Sequence, residues 1–177
     1  MKKMCVKNKN RDKKKGATAI EAVVGLLALV MIMAFFVDML TIVQQRYTVS
    51  QTANTLVRTI ATQGGIQSQT PNNFPNGDSN YVTSTELYRT LSERMLGLGV
   101  DEWTMTVTDD AGVNTNVGVG TKVKFDYREP FTITLRYESK WHITNQIIPG
   151  MSDSFTITQK RTAISEYEDN YNEDWSE

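Results

Sequence analysis

Cysteine and histidine are nearly absent from this 177-residue sequence, which holds one of each. Cys5 lies in the strongly basic start of the chain, so the sequence can form no internal disulfide and no thiolate zinc cluster. A lone His142 argues equally against a histidine-based metal centre. Proline is scarce, with four residues, and neither proline nor glycine occurs between Leu26 and Gln63, so nothing in that stretch breaks a helix. Basic clusters are missing everywhere except residues 1–15, where Lys2, Lys3, Lys7, Lys9, Arg11, Lys13, Lys14 and Lys15 face only Asp12. The rest of the chain therefore offers no nucleic-acid-binding patch. The net charge of −1 and mean hydropathy of −0.38 describe an ordinary soluble protein, but these averages conceal three materials joined end to end: a basic head, an apolar run and a mixed remainder.

The apolar run decides the class. From Ala22 to Val37 the sequence reads AVVGLLALVMIMAFFV, sixteen residues without a charge, bounded by Glu21 and Asp38. Extended from Ala17 to Val43 it has 27 residues, and a helix of that length reaches about 40 Å against a hydrocarbon core of about 30 Å. A transmembrane helix over 17–43 is expected. Nothing else in the chain is apolar enough to surround such a helix in a core. The basic head belongs on the cytoplasmic side, which puts the remainder outside. A cleaved secretory signal would have a shorter apolar region and a small-residue stop; instead the run passes through Asp38 into QQRYTVSQTANTLVRTIATQ. There Val49, Ala53, Leu56, Val57 and Ile60 recur at helical spacing, so residues 44–63 form an amphipathic continuation of the same helix, stopped by Gly64 and Gly65.

Glu21 lies one turn inside the apolar run, where a carboxylate is costly. The junction reads Lys13-Lys14-Lys15-Gly16, then Ala17-Thr18-Ala19-Ile20-Glu21. It resembles the class III leader of type IV prepilins, with a basic head ending in glycine, cleavage after that glycine, and glutamate at the fifth mature position. The resemblance implies a leader over 1–16, cleavage between Gly16 and Ala17 by a prepilin peptidase, and a subunit-pairing role for Glu21. The physical sense of the spacing is that a new ammonium on Ala17 in an apolar bundle needs a nearby carboxylate from a neighbouring subunit. Where the family pattern often has an aromatic at the first mature position or beside the glutamate, this chain has Ala17 and Ala22, which argues against a major pilin. Further on, Val37-Asp38-Met39-Leu40, Gln45-Arg46-Tyr47 and the small-residue helix from Thr52 to Ala61 resemble the TadE-like pseudopilins of tight-adherence (Flp-type) pili. This likeness covers residues 13–65. Flp major pilins are much shorter, so it implies a minor subunit. Asp38 is balanced between two readings, a carboxylate reaching water at the outer headgroup boundary and a second subunit-pairing group.

Residues 64–82 are rich in Gly, Pro, Asn, Ser and Gln and read as a loop. Asn72, Asn73, Asn76, Asp78 and Asn80 lack the alternating carboxylates and terminal glutamate of a calcium loop. Thr83-Ser84-Thr85-Glu86 is a capping box that starts a helix with Leu87, Leu91 and Met95 on its inward stripe, joined by Tyr88 and Leu98, and Gly97 or Gly99 at its end. Four strands follow by period two: Trp103, Met105, Val107; then Val123, Phe125, Tyr127; then Phe131, Ile133, Leu135, Tyr137 with Trp141 and Ile143 on the same face, interrupted by Ser139; then Phe155 and Ile157. Short turns imply an antiparallel meander, and its apolar face suits the amphipathic half of the first helix. The expected fold is α+β and pilin-like: a long N-terminal helix packed on a roughly four-stranded antiparallel sheet within an extracytoplasmic domain over 64–165. The tail 166–177 has six acids and no base and is expected to be solvated.

Chemistry is thin. His142 falls on the wet parity of its stretch, Gly97-Leu98-Gly99 and Gly118-Val119-Gly120 lack phosphate-loop spacing, and no nucleophile stands beside a base. We expect no catalytic, cofactor-binding or metal site and no nucleic-acid partner. The expected function is that of a non-enzymatic minor pilin or pseudopilin in the cell membrane, alone or within a pilus. Its expected partners are membrane lipid, a prepilin peptidase, other pilin or pseudopilin subunits and membrane assembly proteins. The alternative is an unprocessed single-pass anchor whose outer domain binds a component of a secretion or conjugation machine. Gly16→Leu separates them at the first step: in cells with the cognate peptidase, amino-terminal sequencing of the membrane-extracted wild type should begin at Ala17, whereas the variant should keep its head. Normal shortening of the variant would remove the leader assignment.

Overall fold

The computed structural model describes residues 9–71, 74, 81–148 and 150–167, with side chains from Ala19 onward. The first helix, α1, is Lys9–Gln63, 55 residues, or about 82 Å. It runs continuously through Gly16 and Gly25. From Ile20 to Val43 its large apolar side chains are exposed except Met31 and Ile42, which are half-buried, and it is the one helix among the described residues long and apolar enough to cross a membrane. It ends where Gly64 takes a φ of 71°, a left-handed cap only glycine adopts cheaply.

The chain divides into two compact units, one made of residues up to Thr41 with Trp141–Asp153, the other of Ile42–Lys140 with Ser154–Glu177. In the second unit, α1 is followed by the short strand β1 (Gly65–Ile66), the helix α2 (Ser84–Gly97), and strands β2 (Trp103–Thr108), β3 (Asn114–Asn116), β4 (Val123–Lys124), β5 (Pro130–Lys140) and β6 (Ser154–Ile164). The capping box works as expected on one side, because the Glu86 amide donates to the Thr83 hydroxyl at 3.3 Å. Leu87, Leu91 and Met95 are buried. The main sheet is antiparallel in the order β3-β2-β5-β6. Its inner face, Met105, Val107, Phe131, Ile133, Leu135 and Tyr137, packs with the α2 stripe and with Val49, Ala53, Val57, Ile60 and Ala61 of α1 in one core. The α+β class, the four-stranded sheet and helix-on-sheet packing are thus observed.

Four details differ from expectation. The stretch Val123–Tyr127 does not enter the main sheet. Only Val123 and Lys124 pair, with β1, while Phe125 is buried and stacks on Phe131 at 4.4 Å. The fourth main strand is instead β3, whose Asn-Thr-Asn sequence has poor strand propensity. It is held at the edge by side chains as well as backbone, Thr106 donating to Asn116 and Thr108 to Asn114 at 2.9 and 2.6 Å. The order is not a simple meander, because β5 returns to the other side of β2 after the β2–β3 hairpin. Finally, β5 stops at Lys140, so Trp141 and Ile143 do not continue its inner face, and His142, though exposed, is not a strand residue. Ser139, read as an interruption, is a buried member of that face.

The candidate calcium-loop residues Asn72, Asn73, Asn76, Asp78 and Asn80 lie outside the described residues, as does the acidic tail beyond Tyr167. Before that point the chain is pinned: the Glu166 amide donates to the Ala61 carbonyl at 2.9 Å, and Tyr167 stacks on Phe74.

Truncating Ile60, which has no exposed surface, to Ala should destabilise the second unit by about 2–5 kcal/mol, since the α1–sheet seam leaves a cavity that can only partly collapse. Leu29→Ala, at an exposed site of the apolar half, should leave that unit's urea midpoint in detergent unchanged.

Candidate functional site

The residues expected to act between subunits lie on α1. Gly16 and Ala17 are helical in backbone. Glu21 is exposed, with Ile20, Val23 and Val24 exposed around it. Asp38 is seventeen residues further along, about 25 Å up the helix and roughly 100° around it, so the two carboxylates do not form one patch.

Asp38 is only 1% exposed. A buried carboxylate is tolerated only where hydrogen bonds replace its lost water, and here three consecutive backbone amides do so. Oδ1 accepts from His142 at 3.3 Å and Ile143 at 3.2 Å, and Oδ2 accepts from Ile143 at 3.1 Å and Thr144 at 2.7 Å. These amides open the four-residue helix α3 (Thr144–Ile147), whose N-cap residue, Ile143, has no side-chain acceptor to offer. Asp38 supplies the missing cap from another element. Amides of an extended strand point alternately to its two sides, so three in a row reach one carboxylate only after the chain leaves the strand conformation. This is why β5 ends before Trp141. The same segment is fastened a second time where the Trp141 indole stacks on Phe35, with ring centroids 6.1 Å apart and planes at 19°. Asp38, placed by the sequence at a choice between water and a second subunit, is thus engaged within its own chain.

The second unit carries its own polar links to α1. Gln45, 2% exposed, donates from Nε2 to the Leu98 carbonyl at 2.8 Å and accepts at Oε1 from the Ser139 hydroxyl at 2.7 Å. Its amide is used on both sides, which binds α1 to the end of α2 and to β5. Arg94 of α2 donates to Thr52 at 3.2 Å, and Arg161 of β6 donates to Asn54 at 2.7 Å and to Ser50. A groove lined by Val43, Arg46, Tyr47, Ser50, Gln159 and Arg161 runs beside that last contact. Burial raises the Tyr137 phenol above its ordinary pKa, and the Arg46 charge opposes the shift. At the end of β5, the Lys140 ammonium bonds Asp101 at 2.8 Å and holds that carboxyl below the usual carboxylate range. Among the described residues no group of three or more His, Cys, Asp or Glu converges where a metal could sit.

Sequence reasoning singled out Glu21, Asp38 and the Gln45-Arg46-Tyr47 run, but not the partners of Asp38 or Gln45. The one visible signal was the uncharged stretch Trp141–Ser152, which is too polar in its middle for a core strand.

The described residues define an α+β protein with a single N-terminal helix of membrane-spanning length and apolarity. No family model, no curated protein and no solved structure matches the chain.

Asp38→Ala would leave three amides without their acceptor, at about 1–3 kcal/mol for each that stays buried. Hydrogen exchange at Ile143 and Thr144 in detergent micelles should then quicken about a hundredfold, the equivalent of roughly 3 kcal/mol. Asp38→Asn, which keeps one acceptor oxygen, should fall between the variant and wild type.

Proposed function

We propose that this chain is a non-enzymatic minor pilin or pseudopilin of the TadE-like, tight-adherence kind. It is processed after Gly16 and assembled in or at the base of a type IV or Flp-like pilus or secretion apparatus. The observation that carries this reading is the division of labour along α1: one unbroken helix that exposes apolar side chains all round from Ala22 to Val30 and on most of its surface to Val43, and whose second half supplies a stripe to the core of an α+β domain. Such a helix suits a subunit that waits in a bilayer and then exchanges lipid for the helices of its neighbours. The basic head orients it with the domain outside the cytoplasmic membrane. The leader-like junction at Gly16 and Ala17 supplies a substrate for a prepilin peptidase. Glu21, exposed among apolar neighbours, is free in geometry to meet the new ammonium of another copy's Ala17. Asp38, with its oxygens engaged inside the chain, is left out of the pairing role.

One observation favours the alternative of an unprocessed anchor serving a secretion or conjugation machine: the Gly16–Ala17 bond lies inside a regular helix, where a peptidase must first unwind it.

The test is Glu21→Ala. Removing a carboxylate from the start of a membrane helix should leave abundance, cleavage and topology near normal. If it pairs with an ammonium in an apolar bundle, its loss strands a buried charge at about 3–5 kcal/mol, weakening subunit association by about a hundredfold or more. Pull-down with assembly partners measures this, and wild-type recovery would overturn the pairing role.

A further inference from the structure

We propose that the connection between β5 and β6, over residues 141–148 and 150–151, forms a lipid-contacting foot that seats in the outer headgroup layer beside α1, held in place by Asp38. The inference rests on the membrane-spanning reading of α1 and adds to it a second point of contact with the bilayer.

Composition comes first. The twelve residues Trp141–Ser152 contain no Lys, Arg, Asp or Glu, although Lys140 and Asp153 stand immediately on either side. Ile143 and Ile148 are each 38% exposed, and Trp141, Ile147 and Met151 are half-buried. Position comes second. Trp141 stacks on Phe35, itself part of the exposed apolar surface of α1, so the apolar surface of the segment continues that of the helix. Lys15 and Asp38 are 23 residues apart, about 35 Å of helix. With Lys15 at the inner headgroups, Phe35 and Asp38 reach the outer border of a hydrocarbon core of about 30 Å. Tryptophan is favoured at that border, where its ring meets acyl chains and its N–H meets water or headgroups.

The backbone decides between a wet loop and an interfacial one. Irregular chain at membrane depth is tolerated only if its amides are satisfied without water. Here they are. Three go to Asp38; the Trp141 amide goes to the Asp153 carbonyl at 3.0 Å, and those of Gln146 and Ile148 go to Ile143 and Thr144 at 3.1 and 2.9 Å. Asp38 does more than end a strand. Its carboxylate removes the polar cost of three consecutive amides that would otherwise need water.

The test uses the full chain in phosphatidylcholine vesicles, with Trp103→Phe and Trp175→Phe so that Trp141 is the remaining indole. Lipids brominated near the top of the acyl chain should quench it roughly twofold more strongly than lipids brominated near the chain end, as expected for an interfacial indole. A second reporter, Leu29→Trp with all three native tryptophans changed to Phe, tests the span itself and should show the reverse preference. Deep quenching of the Leu29 reporter with no lipid quenching of Trp141 would overturn the foot while sparing the span. No lipid quenching of either would overturn both. Adding Asp38→Asn to the Trp141 reporter should weaken its shallow quenching. Unchanged quenching in that variant would overturn the holding role of Asp38.

Discussion

The backbone hydrogen-bond ladder of α1 runs from Lys9 to Gln63 without a break, and both compact units are built on it. A helix satisfies its own polar backbone wherever it lies, so the side chains around it can change character along its length without cost to the ladder. From Ala22 to Val30 the surface is apolar on every side, from Met31 to Val43 it is apolar over most of its circumference, and from Val49 onward it is apolar on one side. The absence of proline, and of glycine after Gly25, is what makes this possible. An inserted breaker would separate the two halves mechanically as well as chemically.

Where the second half of α1 meets its domain, apolar packing gives adhesion and polar groups give register. The contacts of Val49, Ala53, Val57 and Ile60 are non-directional. Those of Gln45 are directional, since its amide has a donor and an acceptor waiting at Ser139 and Leu98. Arg161, reaching Ser50 and Asn54, fixes the same register from the β6 edge. In the other unit Asp38 does the equivalent for the β5–β6 connection, with the larger stake that belongs to a buried charge. Gln45 and Asp38, both buried, would be destabilising if unpaired, so each discriminates against misaligned packing more sharply than it stabilises the aligned one.

Much of the fold was legible because local patterns and tertiary outcome coincided. The stripe from Val49 to Ile60 needed a partner, and the alternating stretch Phe131–Tyr137 needed cover. Thr83 and Glu86 marked the start of α2 because a cap is a local interaction. The pattern misled where period two was read as pairing. Phe125 is buried as its parity requires, but burial of a side chain does not say which strand its backbone joins, and Val123 and Lys124 pair with β1. The β3 edge was invisible because Asn114, Thr115 and Asn116 have no apolar face. Its strand state comes from Thr106 and Thr108 across the ladder.

The sequence by itself determined the long helix, its change from all-round to one-sided apolarity, the α+β class and the positions of Glu21 and Asp38, because these depend on spacing and composition within a few turns. Tertiary structure alone decided what Asp38 touches, where β5 ends, which segment completes the sheet and why Ser139 is buried. The Asp38 and Ser139 contacts join residues about a hundred positions apart and the β3 pairing joins residues up to ten apart; all follow from polar groups whose partners exist only once the chain has folded.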